Sequence, residues 1–295
     1  SNLTGQQNVY VAIGATVEDQ TCGQAITATN ATFTVVDTDV PTLTSSTPTD
    51  GATEVGVNDN IVLNFSKAVD AESGNIVIYK ASDDSEVESI PVGNSKVSGT
   101  GSTEITINPA TTLDSLTGYY VQVAATAFDD SSSNSYAGIT NTTTLNFTTA
   151  DVEAPTLTFS PLDSATGIAD NTNITITFDE AIRNTDNSEL TDTNVDSLIT
   201  LKETNSSGSN IDFDATIDLD KKIITINPDD NFSSEQIVYV GISATVEDYA
   251  DNVINPNYIT FTAADSTAPN LDFTPADSTT GIAVNSDITI AFDEP

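Results

Sequence analysis

Apolar residues recur at every second position over short stretches of this chain. Over 172–178, Ile174, Ile176 and Phe178 fall on one face, and Asn173, Thr175 and Thr177 on the other. That period-two pattern predicts a half-buried strand rather than a helix. The same reading predicts strands at 155–160, 172–178, 197–203, 210–217, 222–227, 236–244 and 257–264. Asn, Asp, Gly, Ser and Pro fill the gaps as turn formers. Isoleucine, valine, threonine and phenylalanine supply the β-branched and aromatic residues that suit a pleated, half-buried surface.

The pattern repeats. Pro41, Pro155 and Pro269 stand 114 residues apart, each preceded four residues earlier by Asp37, Asp151 or Asp265. Three similar segments follow, from Pro48 to Phe65, Pro161 to Phe178 and Pro275 to Phe292, and in each the Phe stands 17 positions after the Pro. ITINP occurs at 105–109 and 224–228, and YVAIGATVED at 10–19 matches YVGISATVED at 239–248. Internal repetition of this kind organises the whole fold. It divides the chain into 1–37, the C-terminal part of one repeat; 38–150 and 151–264, two complete repeats; and 265–295, the N-terminal part of another. The chain reads as an excerpt of a longer protein. Seven short strands in about 110 residues predict an all-β architecture of tandem immunoglobulin-like seven-stranded β-sandwiches, joined end to end. Tyr10, Tyr120 and Tyr239 lie early in the sixth strand, where a tyrosine corner would sit; ordinary strand packing is the alternative.

The order of motifs carries a family resemblance. Pro-x-Asp-x-x-Thr is followed by Asn-x-x-Ile-x-Ile/Leu-x-Phe, ITINP, Tyr-Val, an Asp…Asn loop and Phe-Thr. This resembles the S-layer-type (SbsA-like) bacterial Ig-like domain over essentially the whole chain. The resemblance implies spacer repeats of a large bacterial surface protein, an adhesin or S-layer protein.

Composition narrows the chemistry. Seven Lys+Arg against 44 Asp+Glu give a net charge of −37. A nucleic-acid partner needs Lys and Arg on phosphate, so it is excluded. With no His, every His-based triad and zinc site is absent. Cys22 is the single cysteine and cannot form an internal disulfide. No apolar run approaches a membrane span, so no membrane insertion is expected in this segment. The acids lie on repeated turns, and no Trp exists to stack a sugar. No enzyme is expected.

Acidic segments do gather. If strands alternate up and down, one end of the repeat 151–264 collects Asp151 and Glu153 from the linker, Asp179 and Glu180 after the second strand, and Glu247, Asp248 and Asp251 with Asn252 from a later loop. Oxygen ligands converging from three segments suit Ca2+, which takes 6–8 oxygens. A solvated acidic rim without an ion is the alternative. Lys67 replaces the second acid in the preceding repeat, so that end should bind calcium weakly or not at all. Asp192, Asn194, Asp196 and Glu203 form a second candidate with EF-hand-like spacing. Ser197 stands where the sharp turn needs Gly, and an Asx-rich loop capping a short helical turn suits this segment better.

The reading is a structural spacer or stalk of an extracellular protein on the bacterial cell surface, an adhesin or filament. Its expected partners are neighbouring repeats or subunits of the same surface protein. The alternative is a binding module for a host or surface glycan or protein. The insertion 179–196 makes the repeat 151–264 the better candidate for that role.

Overall fold

A computed structural model describes residues 7–293. Residues 1–6 and 294–295, which fall in the segments 1–37 and 265–295 read above as parts of repeats, lie outside the described residues. Apart from one 3-10 turn at Val195–Leu198, the described regular structure is all β. Contacts divide the chain into two units, meeting at Val152 and Glu153.

The first unit holds one complete sandwich. One sheet runs in the order Ala52–Val55, Asn146–Thr149, Gly118–Val123, Asn75–Lys80, Glu86–Pro91. The other runs Phe128–Asp129, Ile61–Ala71, Ser102–Ile107, Val97–Ser98, with Leu43–Thr47 also paired to Ile61–Ala71. The inner faces of the two sheets meet in a core that includes Leu63, Ile76, Ile105, Val121 and Phe128. Asn8–Ile13 and Thr29–Thr34 form a separate antiparallel pair, and almost all of its residues are exposed.

The second unit builds the same sandwich from Leu157–Ser160, Ile174–Phe178, Ile223–Pro228 and Phe213–Ile217 in one sheet. The other sheet runs Ala165–Ile168, Asn257–Ala263, Ile237–Ile242, Ile199–Glu203. Ile174, Ile176 and Phe178 all point inward, as the alternation requires. Emptying one such site, as in Ile176→Ala, costs about 2–5 kcal/mol. Leu271–Thr274 and Thr289–Phe292 pair as an exposed two-stranded ribbon.

All seven expected strands of 151–264 are present, most trimmed at their ends. The expected strand at 197–203 begins only at Ile199, because the 3-10 turn occupies 195–198. Ala165–Ile168 is an added strand. It runs parallel to Asn257–Ala263 in the sheet opposite Leu157–Ser160, so the chain changes layers between Ser160 and Ala165. Its four residues sit among turn formers and are too short to show a period.

The repeated motifs have structural duties. In Pro-x-Asp, Asp50 Oδ1 accepts the N–H of Asn146 (3.1 Å), and Asp163 Oδ1 accepts that of Thr260 (2.9 Å). Each aspartate ties the start of the domain to its last strand. The residue after the second-strand phenylalanine ties down the residue after the linker proline. Ser66 Oγ accepts from Thr42 N, Asp179 Oδ1 from Thr156 N and Asp293 Oδ1 from Asn270 N.

The tyrosine-corner expectation needs moving by one residue. The Oη of Tyr119, buried in the core, accepts the N–H of Asp114 at 2.8 Å. Tyr120, itself buried, and Tyr239 lie on the other face of their strands and stack on Tyr79 and Tyr258 with ring centres 5.1 and 5.4 Å apart. Val238 stands at the position matching Tyr119, so the second repeat has no corner tyrosine. Tyr239 instead leans over Gly241, where an added methyl group would come within 3.2 Å of Tyr239 Oη and Tyr258 Cβ.

Candidate cation site

The short strand Arg183–Asn184 pairs with Val246–Glu247 and sets Arg183 opposite Glu247. Arg183 Nε donates to Glu247 Oε1 at 3.2 Å, and Arg183 Nη2 pairs with Asp251. The guanidinium carbon also lies 5.3 Å from the ring centre of Tyr249, whose hydroxyl donates to Glu189. Arg183 is therefore a fixed cation of this acidic end, beside Lys222, whose Nζ donates to the Asp179 carbonyl at 2.8 Å. Sequence reasoning passed over Arg183. The signal was its place five residues after Phe178, directly after the apolar Ile182 that anchors the strand.

The seven proposed ligands have different hydrogen-bond partners. Glu247 and Asp251 are held by Arg183. Asp179 is engaged through both oxygens by Thr156, from N at 2.8 Å and Oγ1 at 2.6 Å. The Thr156 hydroxyl, with its N–H, holds the Asp179 carboxyl below the usual range. Asp151 falls in the first unit, where Ser115 Oγ donates to its Oδ1 at 3.0 Å. Glu153 is exposed. Glu180 and Asp248 come together, with carboxylate oxygens within 4.8 Å of one another.

Asp248 is 1% exposed. Its Oδ1 accepts the N–H groups of Ala250 and Asn252, and its Oδ2 accepts the Asn252 side-chain amide. The Asp…Asn loop is thus a self-contained turn that presents one buried carboxylate. A carboxylate has about four lone-pair sites, so these bonds leave room for a cation. Hard oxygens of net negative charge fit Ca2+.

The loop Asp130…Asn134 in the first repeat has the same design. Asp130 Oδ1 accepts from Ser132 N and Asn134 N, and Oδ2 from Asn134 Nδ2. Here a cation is visible. Lys67 Nζ lies 3.1 Å from both Asp130 Oδ2 and Asp37 Oδ2 and also donates to the Asp39 carbonyl. Burial acts to raise the Asp130 pKa, but Asn134, Lys67 and Ser132 outweigh it and hold the carboxyl at about 2. Burial likewise acts to lower the Lys67 pKa, and Asp130 and Asp37 outweigh it and raise it.

The EF-hand-like acids serve an edge strand. Asp196 Oδ1 accepts the N–H of Ala215 (2.8 Å), and Asp192 Oδ1 that of Ile217 (3.0 Å). Asn194 Oδ1 accepts from Thr191 N. Phe213–Ile217 is the last strand of its sheet, so two carboxylates cover its outward donors. The insertion after Phe178 is committed to this task over its second half.

A model of the bacterial Ig-like domain family matches residues 37–149 and 151–263. No curated protein matches the chain. Among solved structures, the chain is similar to a titin A168–A169 fragment at 10% identity, covering 77% of this chain and 100% of that one, with a TM-score of 0.30. It is similar to the N-terminal part of the bacterial S-layer protein SbsC at 14% identity, covering 76% and 44%, with a TM-score of 0.28. A third similarity is to the fibronectin(III)-like modules of Clostridium thermocellum CbhA, at 14% identity, 76% and 94% coverage, and a TM-score of 0.20. The chain thus spans less than half the length of the SbsC fragment.

Proposed function

The chain belongs to the bacterial Ig-like domain family, and from that premise we propose that its repeats are spacer or stalk units of a large extracellular surface protein. They project or assemble and do not catalyse. The observation that carries this reading is that the repeated motif residues are spent on holding each sandwich together. Pro-x-Asp ties the last strand, the residue after the phenylalanine ties the linker, and the Asp…Asn loop closes on itself. Partners are neighbouring repeats or subunits of the same surface protein.

Pulling single molecules of the full chain tests the mechanical role. Two discrete unfolding steps are expected, each releasing about 35–40 nm from ~110 residues at ~3.5 Å each. Extension without discrete steps would overturn it. An antibody raised against the chain should label intact cells of the source organism, and labelling only after lysis would remove the surface assignment.

Calcium is part of the same reading, as a structural ion at the acidic end of the second repeat, held by Glu180 and Asp248. The support is a buried carboxylate beside a second one. Extracellular modules bind calcium at ~10⁻⁴–10⁻³ M. Binding to the folded form alone adds about 2.7 kcal/mol at a hundredfold excess over Kd. The second repeat should melt higher in calcium than in chelator, and equal midpoints would reduce the pair to a solvated rim.

A further inference from the structure

In each complete repeat an early strand and the last strand run side by side in the same direction. Ala52–Val55 is parallel to Asn146–Thr149, and Ala165–Ile168 to Asn257–Ala263. Tension between the two ends of a repeat pulls the early strand toward its own start and the last strand toward its own end. Because the strands are parallel, those pulls oppose each other along the strand axis, and the bonds between them are loaded together, in shear. An antiparallel pair would have both pulled ends on one side and would open bond by bond. Leu43–Thr47 and Leu157–Ser160, which precede the early strands, lie in the other sheet, so stripping them leaves the parallel pair in place. In the first repeat Gly51 N donates to the Asn146 carbonyl (2.8 Å) and Ala150 N to the Val55 carbonyl (2.8 Å). Asp50 Oδ1 accepts both Asn146 N (3.1 Å) and Asn146 Nδ2 (2.7 Å). In the second, Ser164 N donates to the Thr260 carbonyl (2.6 Å), Ala264 N to the Ile168 carbonyl (2.7 Å), and Asp163 Oδ1 accepts Thr260 N (2.9 Å). Thr260 has no side-chain amide, so the Asn146 Nδ2 bond has no counterpart there.

We propose that this parallel pair is the force-bearing clamp of each repeat, and that the aspartate of Pro-x-Asp, Asp50 or Asp163, is the side chain that locks it. Two observations carry this beyond the strand order. The aspartate accepts a main-chain N–H of the last strand just ahead of the ladder, which lengthens the sheared set by one bond to a carboxylate. Such charge-assisted bonds are roughly twice as strong as neutral ones. The exit of the chain is held as well, in both repeats by the same contacts. Val152 N and Ser266 N donate to Ser115 Oγ and Ser234 Oγ at 2.9 Å, and Leu116 N and Glu235 N to the Ala150 and Ala264 carbonyls at 3.2 Å. These contacts keep the end of the last strand from peeling away before the clamp is loaded. The aspartate thus acts on the barrier to forced opening, which governs a protein under tension.

This inference rests on the stalk reading, and the test separates the two. Single molecules of the full chain are held by their ends at constant force, and the rates of the two opening steps are read. Asp50→Ala and Asp163→Ala should each speed one of the two steps by roughly tenfold, the loss of a charge-assisted bond. Asn146→Thr should give part of the Asp50→Ala effect. Tyr119→Phe and Asp196→Ala remove bonds of similar worth away from the clamp. Both should leave the rates within about twofold, because a bond still intact at the barrier does not change the opening rate. Where an alanine variant fails to fold, the direction of pull serves instead. A Cys22→Ser/Asn60→Cys chain held at position 60 and at its C-terminal end loads both strands of the first clamp from one side. Its first repeat should open faster at the same force than when pulled by its two ends. No discrete steps in the wild type overturns the stalk reading and the clamp with it. Steps that Asp50→Ala and Tyr119→Phe speed alike, or that ignore the direction of pull, overturn the clamp and leave the stalk reading standing.

Discussion

Lys67 Nζ donates to Asp130 Oδ2 across 3.1 Å, joining residues 63 apart in sequence and closing one end of the first sandwich. The same ammonium reaches Asp37 and the Asp39 carbonyl, so the linker is fastened to the strand Ile61–Ala71 and to the loop after Phe128. An ion pair with a nearly inaccessible carboxylate, inside a shell of N–H donors, is sheltered from the screening that weakens exposed pairs.

Acid should loosen this end in a defined window. The folded Asp130 carboxyl sits at about 2, below its ordinary value of 3.8. Its contribution is therefore complete above pH ~3.8 and is lost as pH falls through the folded value. Urea unfolding of the full chain between pH 5 and 2 should show the first repeat weakening over that range, and Asp130→Asn should flatten its share of the slope. An unchanged slope in the variant would mean that other carboxylates carry the acid response.

The Pro-x-Asp aspartates make a graded test. Asp50→Ala and Asp163→Ala should each destabilise their own repeat by about 0.5–1.5 kcal/mol, the worth of one hydrogen bond. Asp277→Ala should change neither transition, because Asp277 lies between the strands of the exposed Leu271–Thr274/Thr289–Phe292 ribbon, outside both complete sandwiches. Chemical denaturation resolved by repeat gives the answer, and a loss in Asp277→Ala equal to the others would point to a different role for the motif.

The edge strand of the second repeat should become adhesive when uncovered. Asp196→Ala removes the acceptor for Ala215 N–H and should cost about 1 kcal/mol. The pair Asp192→Ala/Asp196→Ala should add self-association visible by light scattering, since unpaired strand edges recruit one another. A double variant that stays monomeric would show the edge to be protected by other means.

Tyr119→Phe should destabilise the first repeat by about 1 kcal/mol, because the Asp114 N–H loses its partner. Tyr120→Phe should cost less, as its hydroxyl meets only the exposed Asp84. A reversed order by thermal melting would contradict the assignment of the corner to Tyr119.

Much of the fold was legible because its signals are local. The alternation at Ile174, Ile176 and Phe178 names a strand and its inward face together. What escaped depends on partners distant in sequence. Ala165–Ile168 becomes a strand only because Asn257–Ala263 lies beside it. Tyr119 and Tyr120 are equivalent as letters, and only the register says which enters the core. At the candidate site, the gathering of acids was readable from turn order. Its division between Arg183, Thr156 and the Glu180–Asp248 pair was not, because a carboxylate's partner depends on side-chain reach. The EF-hand-like spacing of Asp192, Asn194 and Asp196 shows the opposite failure, a ligand pattern that serves backbone donors.

Those two carboxylates on Ala215 and Ile217 bear on crowding. Where many copies stand side by side, any sandwich with a bare flank invites its neighbours to zip onto it. Here the flank answers an approaching strand with negative charge and donors already taken. At this flank a neighbour is left with contact through side chains rather than through a shared sheet.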